Sequence, residues 1–146
     1  MQVDFYHLAA SPIERVLPRI AERVLAGGSR LLIVCGDEAL AARLDTCLWT
    51  YTPDSFLPHG RAGEDGAADQ PALIAATVDA VNGARNIALV DGEWRDAALD
   101  FDRAFHFFDD ETIAAARLAW KALGTRDGIT RNFWKQDDDG RWAKAA

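Results

Sequence analysis

Residues 31–38 read Leu31-Leu32-Ile33-Val34-Cys35-Gly36-Asp37-Glu38, and this stretch decides the fold class. A half-exposed strand would alternate apolar with polar side chains. An unbroken apolar row this short fits a strand covered on both faces, the habit of parallel sheets. Gly36 turns the chain, and Asp37 and Glu38 suit the positive end of a following helix. That helix is expected over 38–48, carrying Leu40, Leu44 and Leu48. A buried strand turning into a helix is the building unit of an α/β fold.

The same alternation extends in both directions. Val3, Phe5 and Tyr6 mark a first strand over 2–8. Ser11-Pro12 opens a helix, with Ser11 as N-cap and Pro12 at the first helical position. Ile13, Val16, Leu17, Ile20, Val24 and Leu25 follow at helical spacing until Gly27-Gly28. Pro18 removes a helix hydrogen bond, which predicts a kink or a break. Residues 49–71, rich in Pro, Gly and Asp, read as a long exposed loop. Leu73–Ala75, Ile87–Val90 and Ala104–Phe108 are further strands. Asp109-Asp110-Glu111 heads a helix over Thr112–Leu123 whose apolar face is Ile113, Ala116, Trp120 and Leu123. Phe133–Gln136 and Arg141-Trp142 read as two short strands around an Asp137–Gly140 turn. The expectation is one domain, 1–146, ending in a short extension at 136–146. Its architecture is a three-layer α/β/α sandwich around a central, mostly parallel sheet.

Composition sets the class. The chain has 146 residues, 49% hydrophobic and 27% charged, which is ordinary for a globular domain and excludes disorder or a coiled coil. No apolar run reaches a membrane span, and the N-terminus lacks a signal-like core, so a cytoplasmic protein without a membrane role is expected. Two cysteines, Cys35 and Cys47, suit a reducing compartment. The net charge of −7 argues against strong direct binding of nucleic acid. Its distribution is uneven. Residues 1–116 carry −10, whereas residues 117–135 carry +4 through Arg117, Lys121, Arg126, Arg131 and Lys135 against Asp127.

The sheet is Rossmann-like, yet no nucleotide motif accompanies it. Gly27-Gly28-Ser29-Arg30 lacks the phosphate-loop lysine, and Gly60, Gly63 and Gly66 follow no strand. His7, His59 and His106 are scattered, with no metal-ligand spacing, and no cofactor is implied. A rival reading, an enzyme acting on a small anion, would use Cys35, Asp37 and Asp91 at strand ends. Against it, the acidic neighbours of Cys35 oppose thiolate formation.

Two features stand out instead. Leu48–Gly60 holds Trp49, Tyr51, Phe56 and Leu57 among prolines, either a partner-binding patch or side chains folded back on the core. In the basic segment, Arg117 and Lys121 are i,i+4 neighbours beside Trp120, with Trp134 following. Cations around a tryptophan wall suit an acidic peptide with an apolar anchor.

These residues resemble the chi subunit family of bacterial DNA polymerase III. The likeness runs through Phe5-Tyr6, Leu31–Leu48, Leu48-Trp49, Ser55-Phe56-Leu57-Pro58-His59 and Ala62-Gly63-Glu64. It continues through Ala116-Arg117, Trp120-Lys121-Ala122 and Phe133-Trp134-Lys135. It implies a non-catalytic accessory subunit of the clamp loader without cofactor. Such a subunit takes the acidic, phenylalanine-ended tail of single-stranded-DNA-binding protein on one face. The other face binds the psi subunit, or in some bacteria a repair helicase. The tail site carries over to Arg117, Trp120 and Lys121, with Arg126, Arg131 and Trp134 nearby. The family's lysine one turn before the arginine is Ile113 here. The psi or helicase face carries over to Trp49 and Phe56, with Leu57 and His59.

Overall fold

The computed structural model describes residues 1–54 and 57–146. The described strands are β1 (Gln2–His7), β2 (Leu31–Val34), β3 (His59–Arg61), β4 (Ala72–Ala75), β5 (Asn86–Leu89), β6 (Arg103–Phe108), β7 (Thr130–Gln136) and β8 (Trp142–Lys144). They form one sheet in the order β3-β4-β2-β5-β6-β1-β7-β8. Every neighbouring pair is parallel except β7 with β8. Helices α1 (Ile13–Ala26) and α2 (Glu38–Thr50) cover one face, and α3 (Ile113–Leu123) lies on the other. This is the three-layer α/β/α architecture that residues 31–38 implied. Both faces of β2 are buried: Leu31 and Ile33 meet the α1/α2 layer, Leu32 and Val34 the α3 layer.

Four local expectations need correction. Of the kink or break expected at Pro18, the break does not occur: helix α1 runs on through it. A proline at 18 leaves the Glu14 carbonyl without its helical donor. The Cys47 thiol of α2 donates to that oxygen at 3.0 Å, so the lost bond is replaced from the neighbouring helix. Pro12, not Ser11, holds the N-cap position, and no side chain caps the helix there. The Ser11 amide is instead tied to Gln136 Oε1 at 3.1 Å, beside the Ala10 amide at 3.0 Å. Helix α2 runs two residues further than its leucines suggested, to Thr50. The stretch read as a long loop contains β3 and a 3-10 turn at Ala67–Asp69. Too short to show a period, β3 forms because β4 offers it an open edge.

The tail behaves as its sequence suggests. Asp137 Oδ1 accepts the amides of Asp139 and Arg141, both at 2.9 Å, closing the turn between β7 and β8. The segment 136–146 is thus docked onto the sheet, with Trp142 edge-on to Tyr6 at 5.1 Å. Among the described residues no helix is long and apolar enough to cross a membrane.

Candidate functional site

Helix α3 leaves the end of β6 and returns across the sheet. It buries Ala116, Ala119 and Leu123. At 100° per residue, that choice turns Ile113 and Trp120 toward β7, leaves Arg117 above them, and points Lys121 outward. Trp120 meets Phe5 and Phe133 edge-on, with centroids 5.3 and 5.5 Å away. Phe133 also stacks on Phe5 at 6.2 Å. The three rings make a continuous apolar floor between α3 and β7.

The cations around this floor divide into two kinds. Arg131 is committed: its guanidinium lies 4.1 Å from the Trp120 ring centroid and donates to the Trp120 carbonyl oxygen. Gly124 permits this, since a Cβ there would sit 2.7 Å from Arg131 Nη2. Arg126 is paired with exposed Asp96 at 3.3 Å. Arg117 and Lys121, by contrast, are exposed and form no ion pair or side-chain hydrogen bond among the described residues. An incoming anion therefore displaces nothing when it meets them.

Trp134 is not brought to this floor. Side chains alternate along a strand, and in β7 Arg131 and Phe133 take the α3 face while Trp134 takes the α1/α2 face. There it stacks on Tyr6 at 6.3 Å and donates through Nε1 to Asp4 at 3.1 Å. Asp4 is fully buried and also accepts from Gln2, Arg103 and Asn132 at 2.8–3.0 Å. Trp134 helps to solvate that carboxylate. In the same neighbourhood, burial pushes the Tyr6 hydroxyl up to about 12, with Asp4 adding to the effect. The residue that reasoning from sequence left out of the site is Phe133. The period-2 pattern of 131–136 carried the signal, but nothing fixed its phase.

At the other end of the molecule, Trp49 projects from the last turn of α2 with 47% exposure. Its ring lies 4.4 Å from that of His59. His59 is buried, Nε2 lying 2.7 Å from Asp45 Oδ1 and Nδ1 2.6 Å from the Leu57 carbonyl oxygen. Leu57 is itself part of the α1/α2 core. The structure therefore buries both His59 and Leu57, with the His59 ring packed against Trp49. Phe56 lies outside the described residues. A cleft of about 200 Å³ opens beside Trp49, lined by Asp45, His59, Arg61, Glu64 and Gln70 among others.

The rival site does assemble at the strand ends, but each group is already engaged. The Cys35 thiol donates to the Asp37 carbonyl at 3.3 Å, and burial pushes it up, the opposite of what a nucleophile needs. Asp37 caps α2 by accepting the amides of Ala39 and Leu40 at 3.0 and 3.3 Å. Asp91 is held by Arg95 and by the Gly36 amide at 2.8–2.9 Å. Burial opposes its ionisation, but these donors outweigh it and hold the carboxyl below its usual range. The adjoining cavity of about 490 Å³ is lined by Glu14, Asp91 and Asp109 against Arg43, a poor match for an anion. Among the described residues no three ligating side chains cluster as a metal site would require.

Comparison with known proteins gives matches over most of the chain. The sequence model of the family described as "DNA polymerase III chi subunit, HolC" matches residues 1–130. The chain is 33% identical over 115 residues to DNA polymerase III subunit chi of Escherichia coli K12, covering 77% of this chain and 78% of that protein. It is 39% identical over 70 residues to the subunit of the same name from Pseudomonas aeruginosa, covering 46% of this chain and 49% of that one. A third, from Haemophilus influenzae, is 35% identical over 52 residues, 36% of each chain.

Proposed function

Because the chain belongs to the DNA polymerase III chi subunit family, we propose that it is a non-catalytic adaptor of the replicase. Its α3/β7 groove takes the acidic C-terminal tail of single-stranded-DNA-binding protein. Its Trp49 face joins the psi subunit or an equivalent clamp-loader partner, or a repair helicase. The observation that carries the first half is the pair of exposed cations, Arg117 and Lys121, without carboxylate partners, beside the half-buried Trp120–Phe133 floor. An acidic peptide supplies the missing carboxylates, and its terminal phenylalanine adds a ring to an aromatic floor. The strongly acidic remainder of the chain keeps the adaptor off the DNA that its partner coats.

The Trp49 half rests on one exposed ring packed against buried His59. Large rings held rigidly at a surface are the usual anchors of protein interfaces. The groove is tested by titrating the protein into a labelled acidic peptide ending in Asp-Ile-Pro-Phe, read by anisotropy at two salt concentrations. Saturable binding, weakened by salt and dependent on the phenylalanine, is expected. Affinity on the order of micromolar, about −8 kcal/mol, is enough for such a contact. Full-strength binding by a folded Arg117→Glu variant would place the site elsewhere.

A further inference from the structure

The groove has a second wall, and that wall carries a cation of its own. On β7, the alternation that places Arg131 and Phe133 under α3 places Lys135 on the same face. Lys135 is exposed and forms no ion pair among the described residues. Its level in the groove follows from the two element geometries. Trp120 touches Arg131 and Phe133, and α3 runs against β7. Climbing α3 from Trp120 to Ile113 covers about 10 Å at the helical rise. Advancing along β7 from Asn132 to Lys135 covers about 10 Å at the strand rise. Lys135 therefore faces the first turn of α3, where the helix offers Ile113 and no cation. Asp109, Asp110 and Glu111 head that turn: Asp110 is held by His7, the β1 partner of Lys135 in register, at 2.7 Å, and Asp109 accepts the amides of Glu111 and Thr112 at 3.0 and 3.1 Å.

We propose that Lys135 is a specificity-determining residue of the peptide groove, reading a carboxylate upstream of the terminal aromatic residue. The inference rests on the tail-binding reading above. Cations then flank the aromatic floor from two elements. Helix α3 supplies Arg117 and Lys121, β7 supplies Lys135, and the rings of Trp120 and Phe133 lie between. Arg131 belongs to the floor, being held on Trp120. The β7–β8 hairpin fixes Lys135 in place, with Ala143 of β8 opposite it. Lys135 and this hairpin lie beyond residue 130, where the family match ends. The resemblance noted from the sequence nevertheless runs on through Phe133-Trp134-Lys135.

The test compares Lys135→Glu with Lys144→Glu in the full-length protein. Lys144 is paired with Trp134 in register and so lies on the opposite face of the same hairpin. Both variants change the net charge equally. The probe is the labelled peptide ending in Asp-Ile-Pro-Phe, with Arg117→Glu as the reference variant and circular dichroism as the check on folding. Lys135→Glu should weaken binding roughly tenfold, while Lys144→Glu changes it less than about twofold. Replacing the upstream carboxylates of the peptide by amides should remove the difference between Lys135→Glu and wild type. Binding abolished by Arg117→Glu but equal in the two lysine variants overturns this inference and leaves the tail-binding reading standing. No binding by the wild type, or indifference to Arg117→Glu, overturns both.

Discussion

His106 stands on β6 between Leu89 of β5 and Phe5 of β1, with no exposed surface. Phe5 and Trp94 meet its ring edge-on at 5.2 and 5.5 Å, and Phe108 lies 5.9 Å away. Neither ring nitrogen has a hydrogen-bond partner among the described residues. Burial penalises the charged imidazolium and pulls the pKa from 6.5 down to about 4, against a smaller upward pull from Asp91. The unfolded chain takes a proton at His106 below pH 6.5, whereas the folded chain resists it until about pH 4. The stability contributed by keeping the ring neutral is complete above the unfolded pKa and drains away as pH falls toward the folded one. Between pH 7.5 and pH 5 the loss is about 2 kcal/mol. Urea unfolding followed by far-ultraviolet circular dichroism, at several pH values across that interval, measures it. Other groups titrate there too, so the wild type is compared with His106→Phe, which keeps an aromatic ring and removes the titration. The variant's stability should fall less over the interval, by about 2 kcal/mol. His106→Leu should show the same flattening even where its overall stability is lower. Parallel curves for all three proteins would refute the assignment of a neutral, unpartnered imidazole.

Two further outcomes follow from contacts described above. Cys47→Ala strips the Glu14 carbonyl of its donor and should cost about 1 kcal/mol in thermal or urea unfolding. In a Pro18→Ala background, where the helix amide is restored, the Cys47→Ala cost should shrink. Equal cost in both backgrounds would mean that the thiol contact does not substitute for the missing bond. Gly124→Ala should push the Arg131 guanidinium off Trp120, because the new methyl would sit within 3 Å of it. Stability should change by less than about 1 kcal/mol, since the guanidinium end can swing away. Peptide affinity, however, should shift as the floor of the groove is rearranged.

The fold was legible because its central strands leave no choice. Leu31–Val34 and Ile87–Leu89 are unbroken apolar rows, and only a sheet covered on both sides hides every side chain of such a row. What escaped the sequence was set by partners distant along the chain. Pro18 reads as a break until Cys47, 29 positions later, supplies a hydrogen to the orphaned carbonyl. His59 reads as a surface residue of an aromatic loop until Asp45 and Leu57 close around its ring. In β7, Phe133 and Trp134 are adjacent aromatics, and a strand sends one to each face. Only the pairing with β1 shows that Phe133 joins Phe5 under α3 while Trp134 joins Tyr6 and Asp4.

The same phase explains how the molecule can be strongly acidic and still bind an acidic ligand. Most cations of the first 116 residues are already spent within the fold. Arg95 holds Asp91, Arg103 holds Asp4, Arg61 holds Glu38 and Arg85 holds Asp102. The cleft at the strand ends, where α/β sheets usually take ligands, is one of the places filled this way. Site and fold are separable in this architecture. Among the described residues Arg117, Lys121 and Lys135 are unpaired and lie on two elements that face each other across an aromatic floor; Arg15, Arg19 and Arg23 of α1 are unpaired as well, but they stand on the helix layer of the other sheet face. A carboxylate arriving there finds attraction without having to break an existing pair. Selectivity for this site thus comes from unpaired cations set beside an aromatic floor, not from the total charge.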